Sequence, residues 1–458
     1  MPTISEELAH WSAALMPGDV PTEAVSAVKR HVLDTLGCAF AAATQDYGRK
    51  IRAGAMAMGG QGHAHILGFP ERISPQNAAL ANGAMASALS FDDTHNATIV
   101  HVTATLLATT LALGEEIDAA GDEFLVALIA GSELACRTGM AAPLQFHKRG
   151  WHPTGLFGAM GATFATCRLL RLDARATANA VGITGSFAAG LGQGMSEGAE
   201  APNLHAGWGA QSGIAAALLA KHGHTGPAQV FEGAAGLFRT HVQDPDYGFD
   251  FASVTAALGR RWECLAISLK PYPCAHVIHA FIDAALALRE EGVRAEAVAR
   301  VICPIADYMI GVVCEPRAAK IAPLNDWQGR ASLQYSIAEA LVTGRLDGQS
   351  YRGDAETRAA VRALAQRVEY TVDATAQPGQ FKGWVIIETR DGKRFKRIEP
   401  HNRGSAERPL GEDEIRAKFH ANAAPLFGPD RLDAIEAEVA VLEGPGAARR
   451  LAAACVAN

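Results

Sequence analysis

The sequence predicts a mainly α-helical protein: a large all-helical domain with a smaller α+β unit inserted towards its C-terminal end. Three observations point there. Apolar residues recur three and four apart up to about residue 265, β-branched runs take over from about 270 to 400, and helical spacing returns after Pro400. Apolar residues make up 49% of the 458 and charged residues 19%, so the chain has the means to bury a large core, and disorder is excluded.

In the first part, Val25, Val28, Val32, Leu36 and Ala39 fall on one helical face, with Thr22 as a candidate cap. Residues 123–135 and 213–220 are alanine-rich, and small residues let helices approach closely. The uncharged run 176–196 is long enough to span a membrane. It contains five glycines, Asn179 and Gln193, however, and reads as buried helix and turns. The expected boundaries are 1–268 for the first part of the helical domain, 269–400 for the α+β lid and 401–458 for helices returning to the helical domain. Strands are expected at 301–304, 368–372 and 384–389, the last running through an Asp391-Gly392 turn into 395–398. Helices are expected at 278–288, ended by Gly292, and at 333–342, ended by Gly344, then at 412–424 and 431–441.

The net charge of −7 is modest and interspersed, which argues against a nucleic-acid partner or an anionic membrane surface. Two early glutamates break the pattern of a secretory signal, so a cytoplasmic location is expected. Eight widely spaced cysteines without a CxxC pair suggest reduced, buried thiols, not a zinc ribbon or an iron–sulfur cluster.

Four clusters carry chemistry. Phe91-Asp92-Asp93-Thr94-His95 with His101 gathers carboxylates, a hydroxyl and imidazoles, the groups of general acid–base catalysis. The plainer alternative is that Asp92 or Asp93 caps the helix that follows. Trp151-His152-Pro153-Thr154-Gly155 puts a histidine at a helix start, where backbone N–H groups attract anions, and Lys148 and Arg149 lie just upstream. Lys270-Pro271-Tyr272-Pro273-Cys274, followed by His276 and His279, is a proline-stiffened segment at the domain junction that can hold an ammonium on a cleft wall. Tyr335 stands on a helix, off the face formed by Leu333, Ile337 and Leu341. The glycine-rich stretch 190–194 lacks a preceding strand and is not read as a cofactor loop.

These motifs in this order, together with Leu204-His205-Ala206-Gly207, resemble the MmgE/PrpD family over nearly the whole chain. The resemblance implies a helical domain with an α+β lid, an active site between them, a homodimer, and no cofactor or metal. It also implies proton transfer at a carbon alpha to a carboxylate of a small polycarboxylic acid. The expected activity is that of a 2-methylcitrate dehydratase-like hydro-lyase, with cis-aconitate decarboxylase-like or iminodisuccinate epimerase-like chemistry as alternatives. By motif, His101, His152, Lys270, Asp93 and Tyr335 match catalytic positions, and Thr94, His95, His279, Lys148 and Arg149 are expected to bind substrate. Lys270 would clamp the carboxylate while a histidine moves the proton. Three positions depart from the pattern: Ser90 stands where the decarboxylase-like members carry an additional aspartate, Pro202-Asn203 stands where many members carry a basic residue, and Val102 follows His101 in place of the usual proline. Two readings compete from other classes, a hydrolase using Asp92, Asp93, His95, His101 and His152 as metal ligands, and an inactive helical scaffold.

Overall fold

Alternating runs of small and aliphatic residues set up a stack of closely packed helices. The computed structural model describes residues 2–377 and 379–457. The helix Thr22–Ala43 buries Val28, Val32, Leu36 and Ala39, the face its periodicity marks. Pro21, not Thr22, takes the cap position: its backbone is still extended (φ −62°, ψ 143°), its carbonyl accepts the first helical bond from Val25 N at 3.2 Å, and Thr22 becomes the first helical residue. This helix packs on Pro75–Ser87 and on Glu412–Ala423. Residues from Phe419 to Cys455 therefore join the same core as the first 270 residues.

Glycine sets the closest helix crossing. Pro75–Ser87 lies against His205–Lys221, and a Cβ on Gly207 would stand 2.0 Å from the Leu80 carbonyl oxygen. Gly121–Thr138 and Ala159–Leu169 meet in the same way at Gly131 and Gly161. The uncharged run 176–196 forms a helix, Ala174–Thr184, followed by turns and the short helix Gln193–Glu197. No helix among the described residues is long and apolar enough to cross a membrane.

A second core spans residues 272–387. Its four-stranded sheet places Val368–Val372 parallel to Val298–Ile305, which runs antiparallel to Gly383–Thr389, with Arg394–Glu399 at the far edge. The hairpin turns at Asp391-Gly392, where Gly392 has φ +83°. The helix His279–Glu290 covers the hairpin strands, and Leu333–Thr343, ended by Gly344 at φ +77°, packs on that helix. All eight cysteines are free and buried.

Two-residue ladders interrupt the otherwise helical first part, pairing 64–65 with 72–73 and 94–95 with 267–268. They are too short to leave a periodic signal. The second is what positions the site: Thr94 opposes Ser268, so the acid–histidine segment is clipped beside the strand that leads into Lys270.

Candidate active site

A cavity of about 390 Å³ opens where the two cores meet. Its wall carries Asp92, Thr94, His101, His147, Lys148, His152, Lys270 and His276, with Ile99, Met195, Val277, Met309, Val312 and Trp327 forming an apolar side.

The segment after Leu89 turns through Ser90 at φ +50° and delivers two adjacent carboxylates to opposite sides. Asp93 turns inward. One of its oxygens accepts from the Val102 and Thr103 N–H groups at 3.2 and 3.0 Å, and the other meets His31 Nδ1 at 2.8 Å. Burial raises its pKa, but the His31 and Thr103 contacts outweigh that and hold the carboxyl below its ordinary value. Asp93 thus caps the Val102–Ile117 helix. Asp92 faces the cavity instead, 1% exposed, 3.8 Å from Lys270 Nζ and 3.7 Å from His101 Nδ1, with neither oxygen hydrogen-bonded.

His101 stands at the cap position of the same helix. Its Nδ1 lies 2.8 Å from the Asp93 carbonyl, which can only accept, so Nδ1 carries the proton and Nε2 keeps its lone pair. Thr94 Oγ1 at 3.1 Å and Lys270 Nζ at 3.5 Å flank the same nitrogen. Burial first, and Lys270 second, hold the imidazole below the ordinary histidine pKa. Lys270 is itself 1% exposed and lowered by burial, with Asp92 opposing. The loop bearing it is fixed by a hydrogen bond from Leu269 N to the Gly404 carbonyl at 3.0 Å. Gly404 has φ +91°, and a Cβ there would sit 2.0 Å from the Leu269 oxygen.

His152 belongs to a histidine chain. Its N–H donates to the Gly190 carbonyl at 2.8 Å, a close approach that Gly155 permits beside the Ala189 oxygen. The Thr154 hydroxyl accepts from His101 N at 3.0 Å and shares a hydrogen bond with His152 Nε2 at 3.3 Å. His152 Nδ1 and His205 Nδ1 share a hydrogen bond at 2.8 Å, so both ring nitrogens of His152 are engaged. Burial pushes His152 well below its ordinary value, and His147 and His205 each to about 4.

The other expected site residues lie elsewhere. His95 is buried between Thr98 (2.8 Å) and Glu263 (3.6 Å), outside this cavity. Arg149 points away and pairs with Asp244 at 3.5 Å, whereas Lys148 lines the wall. His279 sits behind His276 and donates to the Cys274 carbonyl at 3.2 Å. His276 is the histidine at the cavity, held through Nε2 by the Asn402 amide at 2.8 Å, with Nδ1 unpartnered. Tyr335 opens into a different cavity, with Arg358 and Arg362. His147, unremarked in sequence, was signalled only by lying five residues before His152.

Asp92, Asp93, His95, His101 and His152 do not bring their donor atoms to one point. Among the described residues the trio that does is His420, Asp433 and Glu436, where Arg416 already pairs with both acids. The metal-hydrolase arrangement is therefore not what this cavity offers.

A helical body and an α+β unit meet at a cavity that holds a lysine, a carboxylate and imidazoles whose pKa values burial lowers. The chain belongs to the MmgE/PrpD family: the MmgE/PrpD N-terminal domain matches residues 6–250 and the MmgE/PrpD C-terminal domain residues 272–444. It is 28% identical over 461 residues to the cis-aconitate decarboxylase-like protein oryM of Aspergillus oryzae, covering 96% of this chain and 94% of that one. It is 26% identical over 463 residues to the cis-aconitate decarboxylase of Aspergillus terreus, covering 94% and 92%. Against the human cis-aconitate decarboxylase, identity is 27% over 453 residues, covering 94% and 90%.

Proposed function

We propose that the protein is a lyase that breaks a bond next to a carbon alpha to a carboxylate in a small polycarboxylic acid. The observation that carries this reading is the pairing of a neutral His101, its Nε2 lone pair free, with the buried ammonium of Lys270. An alpha proton is weakly acidic, and a fixed cation beside the carboxylate lowers the energy of the enolate that forms. His101 Nε2 takes or returns the proton, Lys270 receives the carboxylate, and Asp92 accepts a substrate hydroxyl. His152, tied at both nitrogens, orients the cluster. Lys148, on the cavity wall, meets a second carboxylate. The apolar side of the cavity suits a substrate with an alkyl substituent.

Two reaction subtypes fit. A histidine kept neutral by burial favours starting with proton abstraction, as in dehydration of a 2-methylcitrate-like hydroxy acid: the base takes the alpha proton, the C–O bond breaks, and the leaving oxygen takes that proton back from the imidazolium and departs as water. Decarboxylation is favoured by the relatives, two named cis-aconitate decarboxylase and one cis-aconitate decarboxylase-like, each matched over nearly its whole length. There the C–C bond breaks, carbon dioxide leaves and a protonated histidine delivers a proton to carbon. Pro202, lining the wall where a cation is common, leaves a third carboxylate without one partner. NMR detection of products from 2-methylcitrate, citrate, cis-aconitate and iminodisuccinate tests the reading. Turnover of the hydroxy acids marks a hydro-lyase, and carbon dioxide from cis-aconitate a carboxy-lyase. No turnover of any polycarboxylate removes the proposal.

A further inference from the structure

The short helix Asp326–Arg330 is a wall between two cavities. Trp327 and Arg330 face the histidine cavity, and Asp326 and Gly329 face a second one of about 520 Å³. Arg352, Arg358 and Arg362 line this second space, with Tyr335 and Tyr351 stacked at its base, ring centroids 6.2 Å apart. The charge balance is basic. Asp326 is already engaged by Tyr47, by Arg352 at 2.9 Å and by Arg330 at 3.6 Å. Asp354 caps its own helix through Thr357 N at 2.7 Å, and Glu339 accepts from Tyr351 N at 3.2 Å. The side chains of Arg358 and Arg362, one helical turn apart, make no ion pair or hydrogen bond among the described residues.

Tyr335 adds a donor with no protein partner: the residue is 3% exposed, its hydroxyl reaches the cavity and bonds to no protein group among the described residues, whereas its neighbour Tyr351 bonds to Ser336 at 2.8 Å. Burial raises the Tyr335 phenol, and Arg362 and Arg358 stand near enough to oppose that rise. A phenol donor at the cavity wall and two uncommitted guanidinium groups around one space form a receptor for several anionic oxygens at once.

We propose that this cavity binds a small polyanion bearing phosphate or carboxylate groups, at a site separate from the histidine cavity. Anchoring falls to Arg358 and Arg362, and Tyr335 donates the neutral hydrogen bond. The ligand's charge also competes with Asp326 for Arg352. That reaches the wall helix, whose Arg330 holds the Leu89 carbonyl at 3.2 Å and the Pro273 carbonyl at 3.0 Å, in the two loops that carry Asp92 and Lys270.

The test is calorimetric titration of the full chain with inorganic pyrophosphate and, separately, with citrate, at physiological ionic strength. Saturable binding of at least one probe is expected in the Lys270→Ala background, where the histidine cavity has lost its carboxylate clamp, and is weakened about tenfold or more when Arg358→Gln and Arg362→Gln are added. Tighter pyrophosphate binding identifies a phosphate ligand, and tighter citrate binding a carboxylate ligand. Both arginines are exposed, and Tyr335→Phe, which keeps the ring, gives a second reading with a smaller loss. The proposal is overturned if neither probe saturates, if adding the two arginine substitutions leaves binding as tight, or if Lys270→Ala abolishes binding, which would place the anion in the histidine cavity.

Discussion

His101 owes its chemistry to a single acceptor. The Asp93 carbonyl claims the Nδ1 proton, and burial beside Lys270 keeps the ring neutral. Replacing His101 with alanine should lower turnover by about 100-fold or more, the lower range for a positioned acid–base group. Lys270→Ala should match it, and steady-state kinetics on whichever polycarboxylate is turned over reads both. Asp92→Asn should cost more activity than Asp93→Asn costs per folded molecule, because Asp92 meets the cavity and Asp93 caps a helix; Asp93→Asn should chiefly lower the melting temperature. The pH profile has a definite sign. A base works unprotonated, so activity is lost as pH falls through a depressed histidine value, and the acid limb of kcat/KM should lie below the ordinary 6.5. A limb at or above that value would show that His101 is not the base.

Elements meet here through glycine. Two helices touch backbone to backbone at Gly83 and Gly207, and the Lys270 loop closes on Gly404. Gly207→Ala forces a methyl group against the Leu80 carbonyl, and overpacking of that kind costs ~1–3 kcal/mol. Thermal unfolding of the variant should show a melting temperature lower by several degrees, while Gly392→Ala, with open space around it, should lose only what its positive φ demands. The strands and helices of the α+β unit were legible because each is long enough to show its period. The clip between 94–95 and 267–268 was not, since two residues carry no period and their partner lies more than 170 positions away.

At the scale of the whole molecule, the cavity lies between two cores, so substrate should tie them together. Hydrogen exchange at saturating substrate is expected to slow across residues 270–276 and 326–331; identical exchange with and without substrate would count against a closing lid. The buried histidines also set the acid stability. Their folded values are depressed, His147 and His205 to about 4 from 6.5, so the unfolded chain binds protons first. Stability is complete above 6.5 and should decline as pH falls from there towards 4, which melting curves across that range would show. By itself the sequence determined the helical body, the α+β unit and the motifs that meet at the cavity, because periodicity, turn chemistry and residue type are local properties. Only the tertiary structure decided that Asp92 and not Asp93 faces the cavity, that His276 stands in front of His279, and that Tyr335 opens elsewhere. Neighbouring residues of like chemistry are told apart by where packing sends their side chains, and that depends on segments distant in the chain.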